Sequence, residues 1–533
     1  MTEAGGKNSK LILAAMIFAV SMTFIDQTIV AIAIPSIQED LSLSSTGVQW
    51  IINGYLLALS ALFAFGGRLA DIAGHRKMVT IGVVVFAAAS AMCGLTPTGS
   101  LDEAWLIVFR VIQGAGAAIM FPAALAIVLN AFPLRERGRA MAIFFAVAGG
   151  LTSIGPLAGG YLTEWTWRAI FWVNIPVAII ALVLTAKAKP DNEKRPAPLD
   201  YRGTLLISGG MGLAVLGLQQ SSVWGWGGAA TWLCIAAGLV LIGLFVAYEL
   251  RVANPLLRVR IFQDRAFAVD NIVLFLLMIA FVPLFFFASM YAQISLGESA
   301  SETGLYLLIF FAGFAVASQR GGDILDRVGA RPTVVAGCAV AAVGFFLWGQ
   351  SLTELSVGDQ WYYIVLAGAG VGLVLSPANT DALNRVPKSR YGEATGITQT
   401  VRNFGASLGL AVLGSILILE NRSNLEASLG AKGVPKDTAD QVAECVSQGG
   451  EASCAEVAEK AGAGAAKLFS TVPQDFALAS RTVFYGMAAA MAVAFLVALV
   501  AMPGGKVEEQ VEEDPADADG APGPPEEPLA GSN

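Results

Sequence analysis

Asp26 and Arg110 each interrupt a long apolar run, and a carboxylate or guanidinium in such surroundings needs a counter-charge or a water-filled cavity. An arginine at mid-membrane depth costs at least ~2.5 kcal/mol even on lenient scales. If the run from residue 11 is a helix, Asp26 stands about 22 Å along a ~30 Å hydrocarbon core. Arg110, on a helix returning from about residue 104, lies roughly 9 Å below the same face. The two charges share a depth and are expected to pair. Two chemistries are open to them. Dry surroundings favour the neutral carboxylic acid and a neighbouring cation favours the ionised form, so a partner that moves can load and unload a proton at Asp26. Alternatively the pair is static and only locks two helices together.

Arg402 is the third intramembrane charge, and it has no carboxylate at its own depth. It either reaches down to Asp381 or, with Asn403 and Gln113, lines a substrate cavity that favours anionic groups. Phe285, Phe286, Phe287, Phe310, Phe311 and Phe314 could form an aromatic pocket, but most are expected to face lipid. Cys93, Cys234 and Cys338 fall in apolar runs and read as small core residues. Cys445 and Cys454 share one loop and are candidates for a disulfide there, a local staple without assigned function.

The elements that must position these groups are transmembrane helices. Of 533 residues, 55% are hydrophobic and only 14% charged, more apolar surface than a soluble chain of this size can hide. Fourteen apolar stretches between residues 11 and 502 are each long enough to cross the bilayer. With both termini in the cytoplasm, most of the 33 Lys and Arg residues fall on inner segments, and the short outer loops keep only Arg168. The expected organisation is a cytoplasmic lead 1–10, a six-helix bundle 11–186, a linker 187–202 and two inserted helices 203–248. A cytoplasmic connector 249–266 follows, then a second six-helix bundle 267–502 with an external loop 420–480, and a disordered acidic tail 503–533. The N-terminal apolar run is too long for a cleavable signal peptide.

A repeat supports the two bundles. The segment 66–77 aligns without gaps on 321–332, sharing both leading glycines, an Asp, a third Gly and an Arg. Gly67, Asp71, Gly74 and Arg76 in the first copy correspond to Gly322, Asp326, Gly329 and Arg331 in the second. Further echoes keep the same offset: Gly114-Ala115-Gly116 with Gly368-Ala369-Gly370, Pro122 with Pro377, and Gly138-Arg139-Ala140 with Gly392-Glu393-Ala394. The glycines let helices approach closely, and Asp71 and Asp326 stand where a carboxylate can meet a helix N-terminus or the loop's own arginines. The plainer alternative is that these charged loops only orient the chain.

These residues resemble a known family. The repeated loop is similar to the cytoplasmic motif of the major facilitator superfamily, and Arg110-Val111-Ile112-Gln113-Gly114-Ala115-Gly116 to its fourth-helix pattern. Phe24-Ile25-Asp26-Gln27-Thr28-Ile29-Val30 resembles the first-helix motif of the fourteen-helix drug:proton antiporter subfamily (QacA/EmrB type), with Ala31 where Asn is usual. Gly155-Pro156-Leu157-Ala158-Gly159-Gly160 resembles the antiporter motif associated with exporters. Trp167-Arg168-Ala169-Ile170-Phe171-Trp172-Val173-Asn174-Ile175-Pro176 resembles a stretch typical of the same subfamily. The resemblance implies an all-α membrane fold of two six-helix bundles in parallel repeat plus two inserted helices. It also implies a loop carboxylate that latches the cytoplasmic side shut in one state.

The function expected is export of drugs or antibiotics in exchange for protons, by alternating access in a multi-pass bacterial cell membrane. The partners are a small organic substrate, protons and lipid, with no obligate protein partner and a functional monomer. No cofactor or metal is expected, the proton gradient supplying the energy, since no phosphate-cradling G-x-x-x-x-G-K-[ST] is present. No basic patch with interleaved aromatics suggests nucleic acid. The alternatives are a proton-coupled symporter importing a nutrient and, in other classes, a membrane-embedded transferase or a non-transporting receptor. The single histidine, His75, lies in the repeated loop, which leaves a transferase without a His/Asp cluster.

Overall fold

The computed structural model describes residues 3–505 apart from 42, 44, 100, 191–199, 253–254, 258, 387–390 and, except for 434, 438 and 441, the stretch 432–469. The expected Cys445–Cys454 disulfide, nearly all of the acidic tail and most of the external loop lie outside the described residues.

The first bundle comprises α1 (Glu3–Leu41), α2 (Ser45–Ala73), α3 (His75–Gly94), α4 (Asp102–Ala131) and α5 (Leu134–Trp165), then a short α6 (Ala169–Trp172) leading into α7 (Asn174–Ala188). Between the bundles come α8 (Tyr201–Gln219), a single turn α9 (Ser221–Trp224) and α10 (Ala229–Glu249). The second bundle comprises α11 (Arg265–Ile294), α12 (Ala300–Val328), α13 (Arg331–Ser351), α14 (Val357–Asn384), α15 (Tyr391–Ala431) and the helix Val472–Ala501, here α16. Among the described residues, thirteen segments are long and apolar enough to cross a membrane. Helix α5, 32 residues long, is the other helix of that length and takes the place of the expected fifth span.

Local sequence sets the helix ends. Asp200 caps α8 by accepting from the N–H groups of Arg202 and Gly203, and Asp264 caps α11 by accepting from Phe267 N–H. Ser299 and Glu302 form a reciprocal capping box on α12. The turns α2–α3 and α12–α13 pass through Gly74 (φ 99) and Gly329 (φ 98), a backbone region that side chains disfavour. These glycines are partners in the sequence repeat.

The packing repeats as the sequence does. A side chain added at Gly114 would strike Tyr55 O, and one at Gly368 would strike Phe310 O. Likewise Gly116 rests on Phe86 N and Gly370 on Ala341 N. Each pair of contacts is displaced by the repeat offset, so the two bundles use the same small-residue seams, α2–α4 with α3–α4 and α12–α14 with α13–α14. Pro122 and Pro377 sit inside α4 and α14 at equivalent places.

The inserted helices pack on each other through Gly210, Gly217 and Gly238, and α8 leans on α2 and α15. Trp226 donates to Ser415 Oγ of α15 at 2.5 Å, tying the α9–α10 connection to the second bundle. Trp232, Leu233, Leu239, Val240 and Leu244 leave much of α10 facing outward, as a lipid-bathed helix requires.

The phenylalanines correct the sequence expectation. Phe287, Phe310, Phe311 and Phe314 are buried and Phe286 alone of the six is exposed. Phe281, Phe285, Phe310, Phe311 and Phe314 stack into one cluster between α11 and α12, with neighbouring centroids 5.2–6.4 Å apart. The reason is spacing: residues four apart share a helix face, and here two such faces meet each other.

Candidate functional site

The structure brings Asp26 of α1 and Arg110 of α4 together inside the first bundle. Arg110 Nη1 donates to Asp26 Oδ2 at 2.5 Å, and Gln113 Nε2 donates to Asp26 Oδ1 at 2.8 Å. Arg110 Nη1 also reaches Gln113 Oε1 at 2.8 Å, and its Nε donates to Ile51 O of α2 at 3.0 Å. Asp26, Arg110 and Gln113 are at most 2% exposed. The guanidinium lies 4.5 Å from the ring centre of Tyr55, which adds a cation–π contact. Each carboxylate oxygen is met by a donor and the cation is shared among a carboxylate, an amide and a carbonyl, the condition for holding a buried ion pair.

The network extends to residues that sequence reasoning passed over. Gln113 Nε2 lies 3.3 Å from Ser90 Oγ of α3, which accepts from Asn174 Nδ2 of α7 at 3.0 Å and donates to Phe171 O at 2.8 Å. Asn174 belongs to the Trp167–Pro176 stretch that resembles the subfamily. It stands two residues before Pro176 at the start of α7, a place that marks a helix beginning and not membership of a network. Gln113, expected in the substrate cavity, is thus sealed within this network.

Helix α5 approaches this region through the glycines of the antiporter-like motif. A side chain at Gly155 would overlap Thr28 Oγ1, two residues beyond Asp26 on α1. Gly159 is buried and Gly160 half-buried, and the Pro156 side chain lies outside the described residues. At the outer end of α1, Asp40 accepts from Trp167 Nε1 at 2.9 Å and from Arg168 Nη1 at 2.8 Å. Those two bonds hold the Asp40 carboxyl below the usual carboxylate range.

A second polar cluster joins the two bundles at their cytoplasmic ends. Asp326 of α12 accepts from the backbone N–H groups of Gly138 (3.1 Å) and Arg139 (3.3 Å) near the start of α5. Gly322 lets α12 lie against the Gly138 carbonyl, and Gly396 of α15 rests against Phe63, Ala64 and Gly67 of α2. Arg137 is 3% exposed and donates to Leu129 O and Phe132 O in its own bundle. It also donates across the interface to Asn384 Oδ1 at 3.1 Å and Tyr391 Oη at 2.6 Å. Arg137 and Tyr391 are 254 residues apart, so equivalent positions of the two repeats meet face to face.

The other loop residues sit differently. Asp71 is buried and 3.5 Å from His75 Nε2 within its own loop. Arg76 forms no ion pair among the described residues. Arg331 donates to Leu499 O at the end of α16, within its own bundle. Asp381 pairs with Arg385 one turn away at 2.9 Å and so does not serve Arg402. Arg402 is 6% exposed and lies 5.4 Å from the ring centre of Phe145 on α5. Its Nε and Nη1, and Nδ2 of the neighbouring Asn403, have no hydrogen-bond partner among the described residues.

Two repeated helical bundles meeting around buried charges, closed together at the cytoplasmic ends, define a polytopic membrane transporter. Residues 16–410 match the model of the Major Facilitator Superfamily, and the chain belongs to that family. It is 35% identical over 412 residues to the tetracenomycin C resistance and export protein of Streptomyces glaucescens, covering 76% of this chain and 75% of that one. It is 35% identical to the cephamycin export protein CmcT of Amycolatopsis lactamdurans, covering 76% and 86%. The puromycin resistance protein pur8 of Streptomyces alboniger is 34% identical, with 76% and 80% covered. Among solved structures, the proton:xylose symporter XylE superposes with a TM-score of 0.59 at 13% identity over 95% of this chain and 98% of that one, a likeness of fold alone. The chain is therefore a multi-pass transporter of the cell membrane, and these relatives are named for antibiotic resistance or export.

Proposed function

We propose that this transporter exports small drug-like or antibiotic molecules from the cytoplasm in exchange for protons entering from outside. The observation that carries the reading is the buried Asp26–Arg110–Gln113 cluster, where a proton and a cation can exchange as the counter-charge of the same carboxylate. Protonation of Asp26 removes the negative charge that holds Arg110 and Gln113, and the seam from α1 to α4 loosens. Gly155 couples that seam to α5, whose cytoplasmic start carries the inter-bundle bonds to Asp326, Asn384 and Tyr391. A change at Asp26 thereby has a packed route to the cytoplasmic closure. Release of that closure admits substrate from the cytoplasm, and its re-formation accompanies delivery outside. The relatives named for resistance and export support the outward direction. No cofactor takes part.

The test uses inside-out vesicles acidified within and loaded with a pH-quenched dye, to which cationic, neutral and anionic drugs are added. Drug-dependent proton release in wild type, lost in Asp26→Asn, is the expected result. Proton release that is the same in both proteins would remove Asp26 from the coupling. Solute uptake driven by an inward proton gradient would replace export with nutrient symport.

A further inference from the structure

The second bundle carries a polar stripe without hydrogen-bond partners among the described residues. Along α15, Thr395 Oγ1, Thr398 Oγ1, Gln399 Nε2, Arg402 Nε and Nη1, and Asn403 Nδ2 are all buried and lack partners among the described residues. Their spacing of three and four places them within about two turns of one side of the helix. The nitrogen atoms among them are donors only. The side they form is turned toward the other bundle, since the guanidinium of Arg402 rests over Phe145 of α5. Arg402 and Phe145 each lie eleven residues from the starts of their helices, about 16 Å along them. That depth is near the midplane, where two rocking bundles enclose a substrate.

A buried guanidinium without acceptor or counter-ion is unstable unless something else supplies them. The carboxylate nearest in sequence expectation, Asp381, is already taken by Arg385. Arg110, by contrast, finds a carboxylate, an amide oxygen and a backbone carbonyl to accept from its Nε and Nη1. We infer that Arg402, flanked by Gln399 and Asn403 over the Phe145 ring, is the anchor for an oxyanion of the transported molecule. The substrate class is an aromatic or otherwise flat apolar body carrying a carboxylate, phenolate or similar acidic oxygen. A planar guanidinium bonds such oxygens in pairs and stacks on rings, which an ammonium cannot do. The inference rests on the export reading only for the direction of transport; the site itself is a statement about binding.

The full chain is placed in nanodiscs of phosphatidylcholine alone, so that no anionic headgroup competes for Arg402. Binding of two dyes sharing a xanthene ring system, anionic fluorescein and cationic rhodamine 6G, is followed by fluorescence anisotropy. Arg402→Gln is expected to weaken fluorescein at least about tenfold, or about 1.4 kcal/mol. Arg402→Lys should fall between it and wild type, and rhodamine 6G should lose nothing in either. Phe145→Leu, which leaves every charge in place, should also weaken fluorescein selectively. Fluorescein that binds wild type no better than Arg402→Gln and Phe145→Leu, whether all bind or none does, overturns the proposal. Fluorescein bound through Arg402 that drives no proton release from acid-loaded vesicles would leave the site standing and defeat the export reading instead.

Discussion

Arg110 and Arg402 are both buried arginines on repeated helical scaffolds, and they live in opposite circumstances. Around Arg110, acceptors come from three helices, α1, α2 and α4, and each oxygen of Asp26 is used. Around Arg402 the polar atoms of the α15 stripe have no hydrogen-bond partner among the described residues. The two bundles share glycine contacts at equivalent positions, Gly114 with Gly368 and Gly116 with Gly370. Shared packing with unequal electrostatics teaches that the fold is held by the small-residue seams, while the polar residues are free to diverge. One bundle has closed its charge upon itself, and the other has left a charge open toward the space between the bundles.

One substitution made in both places gives the largest contrast. Arg110→Met strands the Asp26 carboxylate, and breaking a buried pair from one side costs about 3–5 kcal/mol. Arg402→Met removes a buried charge that has no partner, so the protein without substrate should be as stable or more so. Thermal unfolding in a single detergent reads both, and two losses of similar size would abolish the distinction between the regions. The double variant Asp26→Asn with Arg110→Gln should recover much of the stability lost by Arg110→Met but none of the proton coupling.

Gly155→Val sharpens the same comparison from the packing side. The added methyls would overlap Thr28, forcing α1 and α5 apart at an overpacking cost of about 1–3 kcal/mol. Drug-dependent proton release should fall with it, while fluorescein binding at Arg402 changes little. A comparable effect is expected for Tyr391→Phe, which deletes a 2.6 Å bond from Arg137 across the interface. Bonds to charged groups contribute about 1.5–3 kcal/mol. The cytoplasmic ends should therefore separate more often, as spin-label distances between α5 and α12 would record. Unchanged distances would assign the closure to Asp326 and the glycine contacts instead.

The smallest effect belongs to the outer end of α1. Asp40 is depressed by its bonds to Trp167 and Arg168, so its contribution is present above the ordinary value of 3.8 and is lost as pH falls through the lower folded value. Its side chain is 45% exposed. Asp40→Asn should thus act at the low end of the ~0–1 kcal/mol of exposed pairs, and only in unfolding measured above that pH. A large loss would mean that the outer clamp, and not the buried cluster, holds α1 in place.

Much of this was legible in the chain. Equal depth alone pairs Asp26 with Arg110, because helix rise fixes depth along a span. The repeat announced the paired turns at Gly74 and Gly329, since only glycine suits that backbone. What was not legible depended on rotation about helix axes. Ser90 and Asn174 are small polar residues that in most helices bond their own backbone, so nothing marked them as members of a network. The phenylalanines of α11 and α12 face each other and not lipid because of how those helices are turned. Arg331 finds a carbonyl at the end of α16, a contact between segments far apart in sequence.

The meeting of Arg137 with Tyr391 carries a consequence for how such a molecule can be built. On a two-fold axis a residue meets its own copy. Two identical bundles paired in this way would set arginine against arginine, two like charges in a buried place, or tyrosine against tyrosine with no cation to bind. The observed bond needs unlike residues at equivalent positions. A pair of separate, identical subunits could not close its inner face by this contact. Joining the halves in one polypeptide lets each evolve its own member of the bond, and guarantees that every molecule contains one of each.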